Sequence, residues 1–197
     1  MFEVLQYDFI QNALIAGVLI SIAAGIIGSL VVVNKITFLT GGIAHSSYGG
    51  IGLAIYTGIP VLFGATVFAV ITAVLIAIIT LNNRNRIDAI IGMMWASGMA
   101  IGIIFVDLTS GYNVDLMSYL FGSIIAVSSE DIKYMFVMDI FIIAVIIYFY
   151  KEILAVSYDS EFATLRGINV KFFYTLILIL AALCVVAAIK AVGLILV

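Results

Sequence analysis

Few side chains in this sequence could do chemistry, and those few stand inside apolar runs. His45, the sole histidine, sits in FLTGGIAHSSYGGIGLA, among Gly41, Gly42, Gly49, Gly50 and Gly52 and the hydroxyls of Ser46, Ser47 and Tyr48. A neutral imidazole is a good ligand for divalent transition metals. Glycines let backbone bend and expose carbonyls, which a bilayer tolerates where irregular chain lines a cavity. From spacing alone two readings stay open: a transient metal ligand, or a lone histidine satisfied by a backbone carbonyl or a serine. Asp139, Lys190, Cys184, Met93, Met94 and Met99 also fall in apolar runs. A charge at the centre of a bilayer costs about 2.5–3.5 kcal/mol or more. Asp139 is read near the outer part of its run, paired with Lys133 or another helix, while Lys190 snorkels to an interface. The methionines are more often core filler than ligands.

Other chemistries are excluded by what the sequence lacks. Neither Lys171 nor Lys190 has the glycines and hydroxyl of a nucleotide-binding loop, so this chain does not hydrolyse ATP by itself. There is no G-x-S-x-G elbow, and one histidine cannot make a paired-histidine zinc motif. With Cys184 as the only cysteine, no intrachain disulfide forms. Eight Lys and Arg against 11 Asp and Glu, net charge −3, exclude a nucleic-acid binder. The chain is not read as an enzyme, and no permanently bound cofactor is expected.

The elements that must position these residues follow from composition. Of 197 residues, 65% are hydrophobic and 10% charged, and the mean hydropathy is +1.34. A soluble domain averages roughly 45–50% apolar and about 25% charged. The chain is therefore an integral membrane protein, and its apolar surroundings include membrane lipid. A bilayer core takes about 20 helical residues per crossing, which fills the length with one transmembrane domain, 1–197, and no second domain. Spans are helices, because an open sheet edge cannot be satisfied in lipid.

Apolar runs between charge clusters predict about six spans: Phe9–Val33, Gly41–Thr57, Val61–Leu81, Ala89–Val106, Ile132–Tyr150 and Phe172–Ile189. Two segments differ. Leu116–Ser128 is apolar but too short to cross, so it is predicted as a re-entrant or interfacial segment. Ser157–Asn169, SYDSEFATLRGIN, has acids early, Arg late and Gly at a C-cap place, which predicts one short water-exposed helix. The fold class is an all-α polytopic bundle. The acidic start, MFEVLQYDFIQN, lacks the basic region of a cleavable signal peptide.

Basic residues accumulate in cytoplasmic loops. With the N-terminus outside, Lys35, Arg84, Arg86, Lys151, Arg166 and Lys171 fall on the cytoplasmic side, the acidic loop Asp107–Asp115 outside, and 157–169 inside. In the first span Ala13, Gly17, Ser21, Gly25 and Ser29 recur every four residues. Small residues at that spacing share a face and admit a close helix neighbour. The stripe is read as ordinary helix packing within the bundle rather than a dimer interface, and Gly98 and Gly102 repeat the device.

Four segments, FLTGGIAHSSYGGIGLA, DAIIGMMWASGMAIGIIF, DLMSYLFGSIIAVSSEDI and KEILAVSYDSEFATLRGINV, resemble in order and spacing the permease subunit of ABC transporters that import zinc, manganese or iron(II). The resemblance covers essentially the whole chain. It implies an all-helical permease, working as a homodimer with two cytoplasmic ATPase subunits and an extracellular or periplasmic metal-binding protein, in a prokaryotic plasma membrane. It further implies that Ser157–Gly167 is the coupling helix on which the ATPase acts, with Asp159, Glu161, Ala163 and Gly167 at matching positions. Many members carry an aspartate four residues before the histidine, where this chain has Gly41. Family permeases continue for two further spans, so the chain is expected to be C-terminally incomplete relative to the family. The implied activity is alternating-access transport of a divalent metal driven by a partner ATPase. A rival of another class is an ion-gradient-driven transporter or channel relaying protons through His45 and Asp139, and a third is a scaffold assembling through its small-residue stripe.

Overall fold

The computed structural model describes residues 7–81, 87–109 and 116–194. Arg84, Arg86 and positions 110–115 of the acidic loop lie outside the described residues, as does the tail beyond Leu194. The described residues are helical, without strands: α1 (Asp8–Val33), α2 (Thr37–Thr57), α3 (Val61–Thr80), α4 (Ile87–Asp107), α5 (Leu116–Phe121), a 3-10 turn (Ile124–Ala126), α6 (Ser129–Tyr148), α7 (Tyr150–Tyr158), α8 (Ser160–Leu165) and α9 (Val170–Val192). Helices α1, α3, α4 and α9 each have the length and hydropathy of a span, and α6 with α7 makes a fifth, bent by 76°. Helix α2 has 21 residues but is diluted in hydropathy by glycine and hydroxyl residues. It stands among α3, α4 and α9, so with it the bundle has the expected number of about six long segments.

Helix α9 is the centre. Its residues from Phe173 to Ile189 are buried around most of the circumference, and α1, α2, α3 and α6 pack on it. Between apolar helices in lipid no hydrophobic force favours one face over another, so close packing and small residues decide the neighbours. Helix α3 turns Ala65, Ala69, Ala73 and Ala77 inward, all at most 1% exposed, and leaves Phe63, Val67, Ile71 and Ile78 outside.

The tightest packing joins α2 to α4 and α3. A Cβ on Gly98 would stand 2.5 Å from Ser46 Cα, and one on Gly52 or Gly102 would overlap the backbone of the other helix. On the next face of α2, Gly50 meets the backbone of Gly64 on α3. These glycines therefore serve contact rather than bending: α2 is a regular helix from Thr37 to Thr57, four residues longer at its start than the predicted span. The buried hydroxyls of Ser46 and Ser47 donate within the helix, to Ile43 O and Ala44 O at 3.0 and 2.6 Å, which satisfies them without a neighbour.

The corner between α1 and α2 is a Schellman motif. The Lys35 N–H donates to Val32 O and the Ile36 N–H to Val31 O, while Lys35 takes the left-handed φ of 56° usually left to glycine. Val31 and Ile36, both buried at 4% exposure, close the motif with the apolar contact that accompanies it.

The short segment after Leu116 does not cross. It comprises α5 and the 3-10 turn, held to the end of α9 by Leu194 N–H to Tyr119 O and Ser123 N–H to Lys190 O, both 3.1 Å. Gly122 and Gly193 touch backbone to backbone with positive φ. A capping box of Ser128 and Asp131 then starts α6. The bend between α6 and α7 falls at Phe149, whose ring is packed among Tyr148, Phe172 and Phe173.

Candidate functional site

His45 lies near the middle of α2, with its ring stacked on Trp95 of α4 at 4.1 Å between centroids and 4° between planes. Trp95 is held in turn: its Nε1–H donates to Met99 Sδ at 3.2 Å, and Phe38 lies against it at 6.2 Å. The α2–α4 contact at Gly98 and Ser46 brings the two rings together. The imidazole Nδ1 is buried and has no hydrogen-bond partner among the described residues, since the adjacent serines spend their protons on their own helix. One turn earlier on the same face, a Cβ at Gly41 would meet nothing within 4 Å. A half-buried imidazole with an unpartnered ring nitrogen is chemically able to bind a divalent transition metal. The reading of a histidine satisfied by carbonyl or serine is not what the geometry presents.

The other candidates do not join it. Asp139 lies in the middle of α6, not near its outer end, and is 4% exposed. Its Oδ2 has no hydrogen-bond partner among the described residues, and Lys133 is exposed elsewhere on the helix. Ten positions separate Ser129 from Asp139, so at about 1.5 Å per residue the carboxyl is carried about halfway down this helix of 20 residues. Its electrostatic neighbour is Cys184 of α9. Lys190 does reach an end of the bundle, with Nζ 4.7 Å from the Tyr119 ring centroid. Met93 is 59% exposed. Among the described residues no three His, Cys, Asp or Glu side chains converge as a metal cluster.

At the end of the bundle where α1 meets α2, the polar stretch forms a shorter helix than expected. Ser157 and Tyr158 belong to α7, and α8 occupies only Ser160–Leu165, because Asp159 turns extended and caps it. Asp159 Oδ1 accepts from the Glu161 and Phe162 N–H groups at 3.0 and 2.9 Å. Glu161 is exposed, whereas Ala163 is fully buried and anchors α8 to the bundle. Gly167 takes φ 78° as the left-handed residue of a second Schellman motif, with Ile168 N–H on Ala163 O at 3.0 Å. Asp159, Ala163 and Gly167 thus shape the helix, while Asp159, Glu161 and Gly167 are all exposed.

A family model described as the ABC 3 transport family matches residues 6–197. The chain belongs to the ABC 3 transport family. It is 45% identical over its whole length to an uncharacterized membrane protein of Synechocystis sp., of which it covers 70%. It is 32% identical over 99% of its length to the manganese transport system membrane protein MntC of Halalkalibacterium halodurans, covering 67% of that protein. A probable metal transport system membrane protein of Chlamydia trachomatis is 38% identical over 89% of the chain, which spans 62% of it. Among solved structures, PsaBC from Streptococcus pneumoniae in complex with Fab superposes with a TM-score of 0.84 at 32% identity, over 99% of this chain and 70% of that one.

Two features of this ABC 3 chain were missed by sequence reasoning. The first is the apolar surface of the α8 region: Leu165 is 88%, Tyr158 74% and Phe162 46% exposed, with the Arg166 guanidinium over the Phe162 ring at 4.8 Å. The spacing of Phe162 and Leu165 on one helix face was the available signal. The second is that the α1 stripe does not pack inside the bundle. Ser21, Gly25 and Ser29 are exposed; among the described residues a Cβ at Gly25 would meet nothing within 4 Å, while one at Gly17 would stand 3.6 Å from Ile124. Inward packing uses Ala16, Ala23, Ile27 and Val31 of α1 instead.

Proposed function

We propose that the chain is the membrane permease of an ATP-driven importer of a divalent transition metal ion, zinc, manganese or iron(II). The observation that carries this is the chain-long match to the ABC 3 transport family, reinforced by relatives named for manganese and metal transport. The partners in this reading are cytoplasmic ATPase subunits docking on α8, a binding protein delivering metal at the opposite end, and a second permease copy. The chain contributes no nucleotide site of its own. The metal is cargo, met in passing by the free imidazole nitrogen of His45.

The apolar, cation-bearing surface of α8 suits a docked protein, since exposed Leu165 and Phe162 beside Arg166 provide both area and charge. Movement there switches the bundle between outward-open and inward-open states. The proton-relay alternative has less support: His45 sits on α2 against α4 and Asp139 on α6 against α9, and although both helices touch α9, neither packs substantially on the other.

The test is ATP-dependent uptake of each of the three metals into vesicles holding the permease with its ATPase and binding protein. His45→Ala is expected to abolish uptake at unchanged folded yield. Uptake by that variant equal to wild type, per folded protein, removes the residue from the path. Uptake that needs an ion gradient but no ATP refutes the importer reading.

A further inference from the structure

The position that ties α8 to α2 is Asn34, at the C-cap of α1. Its side-chain Nδ2 donates to Leu30 O and to Ser157 Oγ, each at 2.9 Å. Leu30 is in the last turns of α1, and Ser157 is the penultimate residue of α7, next to the Asp159 turn that starts α8. One amide therefore joins the α1–α2 corner to the segment that carries α8, across 123 positions of sequence.

Both sides of this bond are stiff. The corner is the Schellman turn described above, with Lys35 held at φ 56° and Ile36 buried, so displacement of Asn34 is not absorbed by slack chain. Beyond the corner α2 begins at Thr37 and runs unbroken past His45, and the backbone contacts at Gly98, Gly102 and Gly64 oblige α4 and α3 to follow it. On the other side α7 enters α8 through a single capped residue. Beside the bond lies a cavity of about 420 Å³, lined by Asn34, Lys35, Ile87, Ser157, Ser160 and Tyr174. Close-packed interiors transmit displacement as rigid bodies, and this unfilled space gives the corner room to move.

We infer that the Asn34–Ser157 hydrogen bond is the link through which movement of α8 reaches α2 and the imidazole it carries. Asn34 is a positioning residue: it touches no metal and acts through the helix it holds. The inference rests on the importer reading and adds to it the connection between the driven helix and the metal path.

The experiment uses the assembled transporter in vesicles, with metal uptake and ATP hydrolysis measured on the same preparation. Asn34→Ala and Ser157→Ala are each expected to lower the uptake-to-hydrolysis ratio about tenfold with ATPase association retained, and the double variant to be no worse than either single one. Ser157→Thr keeps the hydroxyl and should couple as wild type. Asn34→Asp accepts from the Ser157 hydroxyl while giving up only the bond to Leu30 O, and should also couple, which separates linking from capping. If Asn34→Ala fails to fold, Ser157→Ala decides. An unchanged ratio in Ser157→Ala, or losses that multiply in the double variant, overturns the link while leaving the importer reading in place. A wild-type assembly without ATP-driven uptake overturns that reading and the link with it.

Discussion

Gly98→Ala and Gly92→Ala make the same chemical change on the same helix, six positions apart, and the packing of α4 predicts opposite signs for them. At Gly92 a Cβ meets nothing within 4 Å, whereas at Gly98 it would stand 2.5 Å from Ser46 Cα and 2.6 Å from Ser46 O. In helix propensity both substitutions gain up to about 1 kcal/mol, so that contribution cancels in the comparison. What remains is the overpacking at Gly98, where the obstacle is backbone and no rotamer change relieves it. Carbon atoms rest at about 3.5–4.0 Å, so α2 and α4 must part by roughly 1 Å at this crossing. Forced insertions of this size cost about 1–3 kcal/mol, which at about 1.4 kcal/mol per tenfold separates the two variants by roughly 5- to 150-fold in unfolding equilibrium. Reversible unfolding of the purified protein in mixed micelles reads the difference. Gly92→Ala should be neutral or more stable, Gly98→Ala less stable, and the His45–Trp95 stack should loosen in the latter, visible as a shift in Trp95 fluorescence, since the chain has one tryptophan. Equal stabilities for the two variants would refute the close approach of α2 and α4.

Placing Asp at Gly41 puts a carboxylate one turn from His45 in open space, so the variant should fold and gain a metal-dependent rise in thermal stability greater than wild type; no gain with zinc, manganese or iron(II) counts against a metal path at His45. Gly167→Leu forces a branched residue into φ 78° at a cost of roughly 1–2 kcal/mol, yet its Cβ meets nothing within 4 Å; ATPase association measured by co-purification should fall while the bundle stays folded, and normal association refutes the role of α8. Single cysteines at Thr109 and Ser160 in a Cys184→Ser background should label differently with an impermeant thiol reagent in intact cells, only Thr109→Cys reacting from outside, and labelling at 160 would reverse the orientation.

Much of this molecule is legible in its sequence because the causes are local. Bilayer thickness against helical rise sets the length of α1, α3, α4 and α9, and the apolar runs display it directly. The capping box at Ser128 and the left-handed Gly167 depend on hydrogen bonds among a few neighbouring residues, and the failure of Leu116–Ser128 to cross follows from its length. His45 was visible as the lone imidazole among glycines. Tertiary structure alone decided which faces meet. Lipid is as apolar as leucine, so hydropathy does not distinguish a side that packs from a side that faces the membrane. The α1 stripe of Gly17, Ser21 and Gly25 carried the same spacing signal as Ala65 to Ala77 of α3, yet only the latter packs inward. Asp139 was visible as a charge in an apolar run, but its place at mid-helix beside Cys184 depends on where α6 begins and on what α9 presents to it. The Asn34–Ser157 bond spans most of the chain, and no local pattern announces a partner that distant.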